Sequence, residues 1–205
     1  MPQKDNNSSL DNIWTIPNAL SLIRMLLVIP IVQQLRIDTP KSNFTAFIIF
    51  IVAFFTDFLD GFLARILKSV SKIGQLIDPL GDKILAITVS AVLYFSKRLP
   101  SYLFILILAR DVIISIAAVL ALNIKKRIVL PSIIGKVTTF VVGIVLALYI
   151  LFHSLTGDNI GIRGVAILRN VIFYGTLLSS LLLIVSGISY AIYYYENFII
   201  EKKNK

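Results

Sequence analysis

The sequence has no cysteine and only one histidine, His153, among 205 residues. The lack of thiols excludes disulfide bonds, cysteine nucleophiles and zinc-thiolate centres, and a single histidine excludes a metal site built from several histidines. Charged residues are also scarce, because they form 15% of the chain whereas an ordinary soluble domain has about 25%. The composition therefore argues strongly against a soluble globular protein.

Apolar residues are abundant instead, at 57% of the chain, and they are grouped into long runs. About 20 apolar residues in a helix cross a hydrocarbon core of about 30 Å. We therefore predict an all-α integral membrane protein with six transmembrane helices and an amino-terminal interfacial segment around Trp14. The predicted spans are residues 18–35, 43–64, 74–96, 100–123, 132–154 and 171–195. They fit one domain over residues 1–205, with a polar tail at 1–12 and a basic cytoplasmic tail at 198–205.

The net charge of +9 comes from 20 Lys and Arg residues against 11 Asp and Glu. A basic chain can bind nucleic acid or an anionic membrane surface, and the apolar composition favours the membrane, so no nucleic-acid partner is expected. If the amino terminus is cytoplasmic, eleven Lys and Arg lie on the cytoplasmic side and six lie outside. The remaining three, Arg24, Lys83 and Arg110, fall inside spans. This bias predicts that both termini are cytoplasmic.

Four aspartates stand at the facing ends of the second and third spans: Asp57, Asp60, Asp78 and Asp82. A carboxylate in a span costs about 2.5–3.5 kcal/mol on insertion scales, so four of them require a reason. Spacings of i, i+3 and of i, i+4 each place the two members of a pair on one helix face. Because the connecting residues 66–75 are few and basic, we expect the two helices to be antiparallel neighbours. Their carboxylates would then converge near the cytoplasmic interface.

Converging carboxylates repel one another unless a cation neutralises them. Oxygen-only ligands suit Mg²⁺, Mn²⁺ or Ca²⁺ rather than zinc. Four carboxylates can hold two ions, and a binuclear magnesium site is one way to clamp a phosphoryl group during a displacement. Gly61 lets a ligand approach the backbone, and Arg65, one turn further along, can donate two hydrogen bonds to a phosphate.

Each of these features also has a simpler interpretation. Asp78 before Pro79 can be an N-cap with proline at the first helical position. Gly61 and Gly74 can be packing points between helices, and Arg65 can be a membrane anchor. Intramembrane aspartates can also relay protons, so an ion or proton transporter is the alternative class. Transporters often carry repeats, and no repeat is visible in this sequence.

Taken together, the residues form one spaced pattern. It reads Asp57-x2-Asp60-Gly61-x2-Ala64-Arg65-x8-Gly74-x3-Asp78-x3-Asp82. All eight positions resemble the signature of the CDP-alcohol phosphatidyltransferase family. Residues 17–24 resemble the amino-terminal element of the family's phosphatidylglycerophosphate and cardiolipin synthases, and Arg110-Asp111 and residues 135–137 resemble their later elements.

The resemblance implies a reaction in which an alcohol attacks a CDP-linked lipid, forming a phosphodiester and releasing CMP. It implies that Asp57, Asp60 and Asp78 ligate two magnesium ions, with Mn²⁺ as a possible substitute, at the pyrophosphate. Asp82 would ligate metal and accept the proton of the attacking hydroxyl. The residues implied in binding CDP-diacylglycerol are Asn18, Ser21, Gly61, Arg65 and Ser71.

Arg110 and Lys136 are cations in or beside spans, and the resemblance implies that they bind the phosphate of an anionic acceptor. The alternatives are a structural salt bridge between Arg110 and Asp111, and a Lys136 side chain that reaches the cytoplasmic surface. Phosphatidylglycerophosphate synthases usually carry a further arginine about two turns after Arg110, where this chain has Ala118. Residues 115–119 resemble CMP-forming cardiolipin synthases better.

The predicted acceptor is glycerol 3-phosphate, and phosphatidylglycerol is the alternative. The resemblance also implies a homodimer in the inner membrane of a bacterium, with the active site at the cytoplasmic side.

Overall fold

In a computed structural model of the chain, the structure describes residues 16–67, 74–125, 133–155 and 162–194, with side chains for 22–56, 83–116, 133–155 and 164–192. All regular structure in these ranges is helical. The six helices are α1 (Ile16–Ile37), α2 (Pro40–Leu67), α3 (Gly74–Phe95), α4 (Ser101–Lys125), α5 (Ile133–Leu155) and α6 (Ile162–Tyr194). The prediction of an all-α protein is thus confirmed for the described residues.

Five helices match the predicted spans to within about three residues at each described end, but α6 differs. It begins at Ile162, nine residues before the predicted start at 171. The prediction followed the apolar run, which Arg169 and Asn170 interrupt. Both residues are exposed, and a helix tolerates exposed polar side chains at no cost to its backbone hydrogen bonds. The 33 residues of α6 extend about 50 Å at 1.5 Å per residue, longer than a hydrocarbon core.

The chain divides into two compact units, residues 1–92 and 93–205. In the first unit α1 packs against α2. Asp38 adopts a left-handed backbone conformation (φ 56°) at the turn. Thr39 then caps α2: its Oγ1 accepts a hydrogen bond from the Ser42 amide (3.1 Å), and Ser42 Oγ accepts one from the Thr39 amide (2.9 Å). Pro40, whose missing N–H costs nothing there, is the first helical residue.

The interior of this unit is built from apolar side chains with almost no exposure, which are Ile31, Leu35, Ala46, Phe50 and Ala53. The alanines on α2 allow α1 to approach closely. The turn and this seam together fix α1 and α2 as a helical hairpin.

In the second unit α4 and α5 both pack against α6. Hydroxyl groups cross the contact between α5 and α6. Tyr149 Oη lies 3.1 Å from Thr176 Oγ1. Thr138 Oγ1 donates to the Ile134 carbonyl of its own helix at 2.7 Å and also lies 3.3 Å from the Leu182 carbonyl of α6. Such polar contacts stabilise the packing of apolar helices in a membrane, because an apolar side chain gains little by moving from lipid to a helix interface.

Large apolar side chains are exposed on every described helix. On α2 they recur at Phe44, Ile48, Val52 and Phe55, which form one stripe. Among the described residues, two helices are long and apolar enough to cross a bilayer, α5 and residues 164–192 of α6. These features fit a membrane protein, and the number of spans remains a prediction.

Candidate active site

The two aspartate pairs lie on consecutive helices. Positions 57 and 60 fall in the last turns of α2, with Gly61 and Arg65 after them, and positions 78 and 82 fall in the first turns of α3. The helical backbone therefore places each pair on one helix face, as the spacing predicted. The side chains of these residues, and Ser71 altogether, lie outside the described parts of the chain.

The helix boundaries decide one alternative for Asp78. Because α3 begins at Gly74, Asp78 is the fifth residue of the helix. An N-cap precedes the first helical residue, so the interpretation of Asp78 as an N-cap is wrong. A carboxylate within the helix has no capping role, so the ligand role of Asp78 stays a prediction without this simpler alternative.

No three His, Cys, Asp or Glu side chains cluster among those that the structure describes. That part of the chain contains only two acidic residues, Asp38 and Asp111, and one histidine. His153 has a structural contact within α5, because its Nδ1 lies 2.8 Å from the Tyr149 carbonyl one turn earlier.

Arg24 on α1 is a further candidate site residue. From the sequence it is predicted only as a charged residue inside a span. It is 1% exposed, the largest side chain among the fully buried ones described. It follows Asn18 and Ser21 at helical spacing on α1, and the side chains of those two residues lie outside the described set. A buried guanidinium must be compensated by anions or carbonyls. Its place as the last residue of the 17–24 element could have marked it as functional.

Arg110 on α4 makes a compact set of polar contacts with α5. Its Nη1 lies 2.7 Å from Asp111 Oδ1 and 3.4 Å from Thr139 Oγ1, and its Nη2 donates to the Gly135 carbonyl at 3.1 Å. The side chains of Arg110 and Asp111 are 11% and 6% exposed. The salt bridge considered for this pair is therefore present.

Lys136 follows Gly135 in the chain and is exposed. Arg110 thus binds the backbone of the residue directly before Lys136. This contact places the Arg110 side chain against the α5 backbone one residue before Lys136, the other residue predicted to bind the acceptor phosphate.

Comparison with known proteins agrees with the motif. The family model for CDP-alcohol phosphatidyltransferase matches residues 14–185. A protein of Aquifex aeolicus named CDP-diacylglycerol–glycerol-3-phosphate 3-phosphatidyltransferase is 32% identical over 185 residues, covering 86% of this chain and 94% of the relative. A protein of Rickettsia felis with the same name is 31% identical over 176 residues, covering 85% and 92%.

A human protein named cardiolipin synthase (CMP-forming) is 40% identical over 113 residues, which cover 55% of this chain and 36% of the relative. The extent of the family match and the eight-position motif on α2 and α3 lead to one conclusion. The chain belongs to the CDP-alcohol phosphatidyltransferase family.

Proposed function

We propose that this protein transfers the phosphatidyl group of CDP-diacylglycerol to glycerol 3-phosphate, which forms phosphatidylglycerophosphate and releases CMP. The main support is the similarity along nearly the whole chain to relatives named for this reaction. The acceptor hydroxyl forms a new bond to the phosphorus that carries the diacylglycerol. The bond from that phosphorus to the CMP phosphate oxygen breaks, and the hydroxyl proton passes to a base.

The donor set fits two magnesium ions. The motif supplies four carboxylates and no nitrogen or sulfur ligand, and each helix contributes two of them one turn apart. Asp57, Asp60, Asp78 and Asp82 would hold the ions. Bound magnesium would neutralise charge on the pyrophosphate and on CMP as it leaves.

Asp82 is the proposed base for the acceptor hydroxyl. It is the last carboxylate of the motif and the deepest in α3. Asn18 and Ser21 on α1, Gly61 and Arg65 on α2, and Ser71 are the proposed contacts of CDP-diacylglycerol.

The proposed acceptor-phosphate contacts are Arg110 and Lys136. Arg110 is nearly buried and contacts α5 beside Lys136, so an anion bound there would meet the hydrogen-bond donors of a guanidinium and the charge of an ammonium. A phosphate is a group that both guanidinium and ammonium bind well.

We further propose six membrane spans with both termini in the cytoplasm, a homodimer, and a bacterial inner membrane as the location. The exposed apolar stripes on the described helices support burial in lipid, because soluble proteins rarely expose so much contiguous apolar surface. The excess of Lys and Arg on one side supports the orientation.

CMP-forming cardiolipin synthesis, with phosphatidylglycerol as acceptor, is the second candidate. It is favoured by Ala118, which stands where the synthases that use glycerol 3-phosphate usually have arginine. The similarity to the human cardiolipin synthase, although confined to about half of the chain, points the same way.

The deciding experiment measures CMP release by the purified full-length protein with CDP-diacylglycerol, magnesium and one acceptor at a time. Glycerol 3-phosphate should support turnover and phosphatidylglycerol should not, with Asp82→Asn as the inactive control. Turnover with phosphatidylglycerol alone would establish the second candidate, and turnover with neither would exclude both.

The acceptor site has its own test. Arg110→Ala and Lys136→Ala should each raise the acceptor KM about tenfold to a hundredfold, the scale of one charge-assisted hydrogen bond. The KM for CDP-diacylglycerol should stay nearly constant. If neither variant changes the acceptor KM, the phosphate is bound elsewhere.

A further inference from the structure

The hydrogen bonds of Arg110 use only part of its guanidinium group. Nη1 donates to Asp111 Oδ1 and to Thr139 Oγ1, and Nη2 donates to the Gly135 carbonyl. Thr139 Oγ1 in turn donates to the same Gly135 carbonyl at 3.0 Å. The two acceptors on α5 are therefore linked to each other and stand one helical turn apart.

These contacts identify which edge of the guanidinium is occupied. The group is planar and carries five N–H donors: two on each Nη and one on Nε. Because Thr139 and Gly135 form a linked pair of acceptors, they suit the end of the fork between Nη1 and Nη2, which leaves the other N–H of Nη1 for Asp111. The Nε–H and the adjacent N–H of Nη2 are then left to donate to another acceptor. Nε is buried and has no hydrogen-bond partner within the described parts of the chain.

The remaining edge suits an anion. Two parallel N–H groups on a side edge match two oxygens of a phosphate, and such paired bonds are stronger and more directional than a single one. Arg110 cannot rotate to present this edge differently without losing the bonds to Thr139 and Gly135 on α5.

We infer that Thr139 is a positioning residue that holds Arg110 so that its Nε–Nη2 edge contacts the acceptor phosphate. This inference rests on the proposed acceptor role of Arg110. The hydroxyl of Thr139 acts twice, because it accepts from Nη1 and it donates to the Gly135 carbonyl that accepts from Nη2.

The test compares Thr139→Val, which removes the hydroxyl at nearly constant volume, with Thr139→Ser, which keeps it. KM values for the acceptor and for CDP-diacylglycerol are measured with the full-length protein and whichever acceptor supports turnover. Thr139→Val should raise the acceptor KM about three- to tenfold and leave the CDP-diacylglycerol KM within about twofold, and Thr139→Ser should restore it. Thr45→Val is the matched control, because exposed Thr45 makes the same kind of bond to a carbonyl one turn earlier (Lys41, 3.1 Å) on a helix other than α4 and α5.

Arg110→Lys tests the edge itself. Lysine keeps the charge but has no paired N–H groups, so its acceptor KM should resemble that of Arg110→Ala. A wild-type acceptor KM for Thr139→Val or for Arg110→Lys would overturn the inference. So would a rise for Thr139→Val that is equal for both substrates or is not restored by serine. If Arg110→Ala itself leaves the acceptor KM unchanged, the proposed acceptor site fails and this inference fails with it.

Discussion

The hydrogen bond between Tyr149 on α5 and Thr176 on α6 allows the stability of the second unit to be tested quantitatively. Thr176 Oγ1 already donates its single proton to the Ile172 carbonyl at 2.7 Å. The Tyr149 hydroxyl must therefore be the donor and Thr176 the acceptor. Thr176 is 2% exposed, and Tyr149 is half-buried.

The two single substitutions should consequently have unequal effects. Tyr149→Phe removes the donor and leaves the proton of Thr176 bonded to Ile172, so the free energy of unfolding should fall by about 0.5–1 kcal/mol. Thr176→Val leaves the Tyr149 hydroxyl without its acceptor in apolar surroundings and should cost about 1–2 kcal/mol. The double variant should cost no more than Thr176→Val alone, because no donor is then left unsatisfied.

The assay is reversible unfolding of the purified protein in mixed detergent micelles, followed by circular dichroism and analysed as a double-mutant cycle. Tyr174→Phe is the matched control, since Tyr174 lies on the same helix pair but is 69% exposed, and its change should stay below about 0.3 kcal/mol. Additive effects of the two substitutions, or a larger cost for Tyr149→Phe than for Thr176→Val, would refute the assigned direction of this bond.

Three further predictions concern the active site. Replacing Asp57, Asp60 or Asp78 with Asn should abolish CMP release. Near-normal turnover in any of these variants would contradict the proposed binuclear metal site. Asp82→Asn should lower kcat by roughly 10²–10⁴-fold with little change in CDP-lipid affinity, whereas equal losses in both would make Asp82 an ordinary ligand. Arg24→Gln should destabilise the protein by about 3–5 kcal/mol in the same unfolding assay, because it leaves the buried groups that compensate the charge unpaired. The exposed Arg36→Gln should change little, and equal effects of the two substitutions would contradict that account.

The helices could be predicted because a 20-residue apolar run has few alternatives in a chain of this composition. The start of α6 could not, since Arg169 and Asn170 end the apolar run without ending the helix. The helical placement of the aspartate pairs could be predicted, because spacing along one helix decides it, as for Asp57 and Asp60. Their role as metal ligands stays a prediction. The proposed role of Thr139 could not be predicted, because its hydroxyl meets Arg110 only through a contact between α4 and α5 that no local pattern specifies.

The salt bridge of Arg110 is compatible with the proposed phosphate contact, because the two would use different edges of the guanidinium. Asp111 accepts a hydrogen bond from Nη1 and offsets the charge of a side chain that is almost buried, which lowers the cost of burying that cation when no acceptor is bound. Because the Arg110–Asp111 pair is then nearly neutral overall, a bound phosphate gains directional hydrogen bonds from Arg110 but little net charge compensation. The exposed Lys136, beside Gly135, can supply that charge without a desolvation cost of its own. If both residues bind the acceptor phosphate as proposed, Arg110 supplies directional hydrogen bonds and Lys136 supplies charge. Lys136→Arg should therefore raise the acceptor KM less than Arg110→Lys does.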